Sequence, residues 1–193
     1  MAVLALTTAA RLRVFGGITG TAPDTDLVLA DMIDYVSQKL EQYCSRPFLQ
    51  VARVESRVLQ GKIFPTLGYP VISVSSVMVA ESGRARDLRA WADFEITPGS
   101  QSISVWGIAR GSLVQASFVG GVSPDTADVI ANHQVLEGAC KLQTLNLWQR
   151  HKSPDKTGLT IVSGDTRWEG QYEMLKDVKR DLDNNYRASQ RFV

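Results

Sequence analysis

The spacing of apolar residues changes twice along the chain, and this constrains the fold more than any other feature. Near the N-terminus Leu29, Ile33, Val36, Leu40 and Tyr43 recur every three or four residues, widened by Met32 and Cys44. That is one stripe of an amphipathic helix. From residue 47 to 122 the period falls to two. Ala52, Val54 and Val58 alternate with Arg53, Glu55 and Arg57. Phe94 and Ile96, Ile103 and Val105, and Val114, Ala116 and Phe118 alternate with polar neighbours in the same way. Each segment reads as a half-buried antiparallel strand with its apolar set inward. After residue 123 the helical spacing returns: Val129, Leu136, Cys140 and Leu147, then Trp168, Tyr172, Leu175, Leu182 and Tyr186.

These changes divide the chain into a helical part, residues 1–46 and 123–193, and a strand-rich insert, residues 47–122. The expected fold class is α+β, a bundle of about four helices with an inserted antiparallel β region of five or six strands. The boundaries follow from local chemistry. Thr7 or Thr8 caps a short helix through Phe15, and Gly16-Gly17 ends it. Asp24 is the expected N-cap of the next helix, with Asp26 in its first turn. Pro47 stops that helix near Cys44 or Ser45, because a residue before proline avoids the helical region. Within the β region, Ile72 and Val74 lie on one phase and Val77 and Val79 on the other, which predicts a bulge near Ser75-Ser76. Ser123-Pro124-Asp125 opens a helix expected to run unbroken over 125–150. A loop over 151–167 follows, with a short strand or hairpin at Leu159–Val162. The last helix is expected from about Trp168.

Charge removes several function classes. The 193 residues carry 21 Lys and Arg against 20 Asp and Glu, for a net charge of +1. Residues 1–46 hold 4 basic and 5 acidic side chains, residues 47–122 hold 7 and 5, and residues 123–193 hold 10 and 10. Neither a basic nucleic-acid clamp nor a polybasic membrane anchor fits this balance. No apolar run approaches the roughly 20 residues of a bilayer span. Met1–Leu6 is apolar but short and lacks a preceding basic residue, so no signal peptide is read and a cytosolic site of synthesis is expected. Cys44 and Cys140 form no CxxC and are expected as buried, reduced thiols.

Catalytic motifs are lacking: there is no GxSxG elbow, Walker loop, HExxH or dinucleotide fingerprint. Gly16–Gly20 has the glycines of a phosphate loop without its Lys-Ser/Thr ending. His133 and Cys140, seven apart, supply two of the four ligands that structural zinc takes. His151 suits a helix C-terminus. Arg84, Arg86 and Arg89 read as a solvated hairpin tip, and Trp91 and Trp106 as core or interface residues. No enzyme activity, cofactor or metal is expected. The C-terminal helix and tail are more suggestive: Arg180 on a mixed-charge face, then Arg187, Arg191, Phe192 and Val193 in a basic tail with an apolar tip. These five residues are the candidate partner-binding set.

Several stretches stand out in order: the helix from Asp31 that ends Tyr43-Cys44-Ser45-Arg46-Pro47-Phe48, the segment Tyr69-Pro70-Val71-Ile72-Ser73-Val74-Ser75-Ser76-Val77, and Val119-Gly120-Gly121-Val122-Ser123-Pro124-Asp125. Leu147-Trp148-Gln149-Arg150-His151, Ser163-Gly164-Asp165 and Tyr186-Arg187 complete the set. Taken in this order, they resemble the head–tail connector, or head-completion adaptor, proteins of tailed phages. The strand-rich residues 47–122 depart from the mostly helical compact members. The resemblance implies a non-enzymatic virion protein, assembled in the host cytoplasm and located in the head–tail neck. It implies a homo-oligomeric, dodecameric ring docked on the portal protein. Such a ring extends the DNA channel and joins the head to a downstream neck or tail protein. Double-stranded DNA passes through without being read, and no membrane is involved. Another neck, tail-completion or minor tail protein is the alternative, and a glycan-acting enzyme stands behind both.

Overall fold

The computed structural model describes residues 5–19, 23–81, 84–96, 100–152 and 173–186. The fold is α+β, and the chain splits into two compact units. One comprises Met1–Cys44 and Thr126–Val193, the other Ser45–Asp125.

Among the described residues the first unit holds five helices: α1 (Ala9–Gly16), α2 (Pro23–Cys44), α3 (Thr126–Asn132), α4 (Gln134–Lys152) and α5 (Lys176–Asn185). Thr8 caps α1 by accepting from the Arg11 N–H, and Gly17 closes it in the left-handed conformation at φ 58. The α2 stripe is buried as its spacing dictates: Leu29, Met32, Ile33, Val36, Leu40 and Cys44 are all inside. Pro23 is already the first helical residue, so Asp24 and Asp26 lie in the first turn and Asp24 is not the cap.

The expected unbroken helix over 125–150 is two helices. His133 lies outside both, and its carbonyl accepts from the N–H of Leu136 and of Glu137, which opens a new ladder. Polar side chains crowd the break, where Asn132 Nδ2 donates to Asp128 Oδ1 at 2.6 Å. This i,i+4 pair supports the last turn of α3. Val129, Leu136, Cys140 and Leu147 are nonetheless all buried.

The last helix also differs from expectation. Residues 173–175 are not helical, and α5 starts only at Lys176. The buried Gln143 amide holds this stretch: its Nε2 donates to the Glu173 carbonyl at 3.1 Å, and its Oε1 accepts from the Leu175 N–H at 2.9 Å. The buried residues Met174, Val178 and Leu182, four apart, form the packed stripe. Leu159–Val162, Trp168 and Tyr172 lie outside the described residues.

The second unit is a β-sandwich. Its strands are β1 (Val51–Leu59), β2 (Ile63–Pro65), β3 (Val71–Ala80), β4 (Arg89–Trp91), β5 (Phe94–Ile96), β6 (Ser102–Val105) and β7 (Ser112–Gly120). A four-stranded sheet has the order β1-β7-β3-β4, and a three-stranded sheet the order β2-β6-β5. Every pairing is antiparallel. One apolar core serves both sheets, with Val77, Val114, Ala116 and Phe118 from the first and Phe64, Ile103 and Val105 from the second. The β3–β7 register shifts between Val74 and Ser76, where the phase change predicts a bulge, and again between Val71 and Ser73. The described strands number seven, because the three-residue β2 and β4 are too short to show a period. Arg89, expected in a loop, belongs to β4.

The two chain ends of this unit run side by side. Gln50 N–H donates to the Ser123 carbonyl at 2.8 Å, and Ser123 N–H to the Phe48 carbonyl at 2.9 Å. That pairing closes the unit's own backbone hydrogen bonds where the chain enters and leaves.

Candidate assembly interface

In the helical unit, three contacts fix the last helix at its start and its end, from which the predicted partner-binding tail departs. Besides the Gln143 clamp, Tyr43 Oη on α2 contacts both Asp183 carboxylate oxygens, at 2.9 and 3.0 Å. Tyr186 Oη lies 3.4 Å from His133 Nδ1, and His133 Nε2 lies 3.7 Å from Asp128 Oδ2. The helix break at His133 therefore provides a side chain for the terminal Tyr186, a relation that no local spacing signals. Arg180 lies on the exposed face of α5, 3.3 Å from Asp177 and 3.7 Å from Asp181. Arg187, Arg191, Phe192 and Val193 lie outside the described residues.

An ion cluster around one buried carboxylate holds α1. Glu137 on α4 is almost fully buried. Its carboxylate accepts from Arg11 Nε at 2.6 Å and Nη2 at 3.2 Å, from Lys141 Nζ at 2.7 Å, and from Thr7 Oγ1 at 3.1 Å. Burial pushes this carboxyl up, but the Arg11 and Lys141 bonds outweigh it and hold it below the usual range. Nearby, Arg13 Nε meets Asp26 Oδ1 at 2.6 Å and joins the end of α1 to the first turn of α2. The next residue on each helix is an exposed aliphatic: Val14 at 87% and Leu27 at 67%. Phe15 is exposed as well, with Lys141 Nζ 5.8 Å from its ring centre.

The residues weighed for metal chemistry are engaged elsewhere. Cys140 is fully buried beside Ser37 and Thr144, and burial raises its thiol to about 11. Among the described residues no group of three or more His, Cys, Asp and Glu is placed to hold a metal ion. Trp91 donates from Nε1 to the Trp106 carbonyl at 2.9 Å, and Lys62 Nζ sits 4.6 Å from the centre of the exposed Trp106 ring.

In the β unit, strand β1 overturns the expected orientation. Val54 and Val58 face solvent, 63% and 55% exposed, while Arg53, Glu55 and Arg57 are half-buried. The reason lies outside the strand. Glu55 accepts from the backbone N–H groups of Leu67 and Gly68 at 3.1 and 3.2 Å, so a polar residue is satisfied on the inner face. The outward residues of the large sheet then align in rows: Val54–Ser117–Ser76 and Ser56–Gln115–Met78. Gln115 Nε2 bonds to Ser56 Oγ at 3.2 Å across one of them. From Ala52 to Val58, Leu113 to Val119 and Ser73 to Met78, no outward residue is charged. The sheet also ends at β1, which pairs only with β7 among the described residues.

No helix among the described residues is long and apolar enough to cross a membrane. No family model matches the chain, and no curated protein matches it by sequence. Among solved structures the fold is similar to a chain of the neck of an empty gene transfer agent particle computed with C6 symmetry. The TM-score is 0.58 at 13% identity, over 94% of this chain and 92% of that one. A chain of the native gene transfer agent virion gives 0.56 at 13% identity, over 93% and 88%. A chain of the native neck computed with C12 symmetry gives 0.55 at 12% identity, over 94% and 91%.

Proposed function

We propose that this chain is a structural component of a phage-type virion neck, a head–tail connector that assembles as a ring and joins the head to the tail. The observation that carries the reading is the fold likeness to neck chains, which runs through nearly the whole length of both partners. It includes the helical unit and the β insert together, so the departure from compact connectors has a counterpart in a neck. A dodecamer suits both the sixfold and the twelvefold symmetry in which those necks were computed.

In this role the chain performs no chemistry. Subunits meet head-to-tail and close by rotation. The ring docks on the portal protein and presents its other side to a downstream neck or tail protein. The DNA channel continues through it. A net charge of +1, balanced along the chain, suits passage of a polyanion, since a basic lumen would hold DNA by counterion release. Arg180 and the tail residues Arg187, Arg191, Phe192 and Val193 are the proposed portal contacts. Another neck or tail-completion protein is the second reading, favoured by the same fold likeness.

Mass photometry of the purified protein, alone and with portal rings, tests the proposal. We expect a ring in at least the second condition. A chain that stays monomeric and never joins portal overturns it.

A further inference from the structure

We infer that the guanidinium of Arg53, beside the Gly68–Tyr69 turn of the β unit, is a docking point for a carboxylate that a neighbouring protein chain supplies. The site itself does not depend on the ring reading above; only the source of the carboxylate rests on it. Arg53 stands half-buried on β1. Its Nε is buried without a hydrogen-bond partner, and among the described residues the side chain makes no ion pair. Elsewhere in the chain Arg11 meets Glu137, Arg13 meets Asp26 and Arg180 meets Asp177. A charge taken partly out of water without an anion costs free energy, and a bound carboxylate offsets that cost.

The acid nearest along the strand is already engaged. Glu55, two residues on and on the same face, accepts from the Leu67 and Gly68 N–H groups at 3.1 and 3.2 Å and lies 3.8 Å from Arg57. Arg53 is also held in place. A Cβ on Gly68 would fall 2.7 Å from Arg53 Cδ, so the missing side chain makes room for the arginine stem. On Tyr69, the next residue of the same turn, the Arg46 guanidinium stacks 5.4 Å from the ring centre. Two cations are thereby fixed at one turn. The planar fork of an arginine held in this way suits the two oxygens of one carboxylate. Duplex DNA is held instead by many basic side chains together, and the Glu55 carboxylate on this face opposes a polyanion.

Two experiments on the full chain test this. The first needs no assembly. The Arg53 Nε–H signal of isotope-labelled protein is assigned by its loss in Arg53→Met, and acetate is then titrated against chloride at constant ionic strength. We expect a saturable shift with acetate, none with chloride, and no tighter response to inorganic phosphate. No shift with acetate, or a phosphate response about ten-fold tighter, overturns the carboxylate site. The second experiment reads assembly by mass photometry, with portal where the ring requires it. Arg53→Met keeps the apolar stem and removes the charge, while Arg53→Lys keeps a charge and loses the fork. Both should form rings at least about ten-fold more weakly. The unassembled Arg53→Met chain should melt at or above the wild-type temperature, because an unpaired half-buried charge is gone. A lower melting temperature assigns Arg53 to its own fold and overturns the docking role. Arg53→Lys rings as stable as wild type overturn the fork. Arg53→Met rings as stable as wild type overturn the neighbouring chain as the source and leave the neck reading standing. A wild-type chain that forms no ring with or without portal overturns the neck reading and that source together, while the acetate titration still decides the site.

Discussion

Arg11 grips the buried Glu137 carboxylate through two hydrogen bonds, 2.6 and 3.2 Å long, across 126 residues of sequence. The contact anchors the N-terminal helix on α4. A carboxylate with folded pKa below its unfolded value of about 4.5 stabilises the fold above that value. The contribution is lost as pH falls through the depressed pKa. Glu137→Gln should cost about 2–3 kcal/mol at neutral pH, because Lys141 loses its partner in a largely buried site. Thermal melts between about pH 7 and about pH 3 should show the two proteins converging at the acid end. A constant gap across that range refutes the assignment.

The Gln143 clamp should be equally measurable. Gln143→Leu keeps the volume but strands the Glu173 carbonyl and the Leu175 N–H. At about 1–3 kcal/mol for each unsatisfied group, the expected cost is about 2–4 kcal/mol. Hydrogen exchange should rise over Val178–Leu182 before it rises in α2.

Two glycines provide an internal control in the β unit. A Cβ on Gly120 would lie 1.6 Å from the Gly68 carbonyl oxygen, whereas one on Gly61 meets nothing within 4 Å. Gly120→Ala must displace backbone, and a loss of more than about 3 kcal/mol is expected. Gly61→Ala should stay within about 0.5 kcal/mol. Chemical denaturation of both variants checks the contrast.

The thiols should be silent in the folded protein. Cys140 is raised to about 11 and Cys44 is buried. Ellman's reagent at neutral pH should find no thiol in the native chain and two after denaturation. Fast native reaction would mean that the core around Ser37 and Thr144 opens.

Deletion of Arg187–Val193 should weaken portal docking and leave helicity and melting temperature unchanged. Tyr43, Gln143 and His133 hold the preceding helix without the tail. Unchanged docking by mass photometry removes the tail from the proposed contact.

Sequence by itself determined what depends on near neighbours. Thr8 and Gly17 bound α1 because a hydroxyl and a missing Cβ act within one turn. Leu29 to Cys44 gave the buried face of α2, and the phase change between Val74 and Val77 gave the bulge of β3. Only the tertiary structure decided what depends on distant partners. The late start of α5 turns on Gln143, 32 residues away from Leu175, and the terminal Tyr186 meets His133 across 53 residues, pairings that no window of local pattern weighs. Strand β1 is the sharpest case. Its alternation fixed the period but not which set faces inward, because a two-residue repeat is the same from either side. The backbone N–H groups of Leu67 and Gly68 satisfied Glu55 on the inner face and left Val54 and Val58 outside.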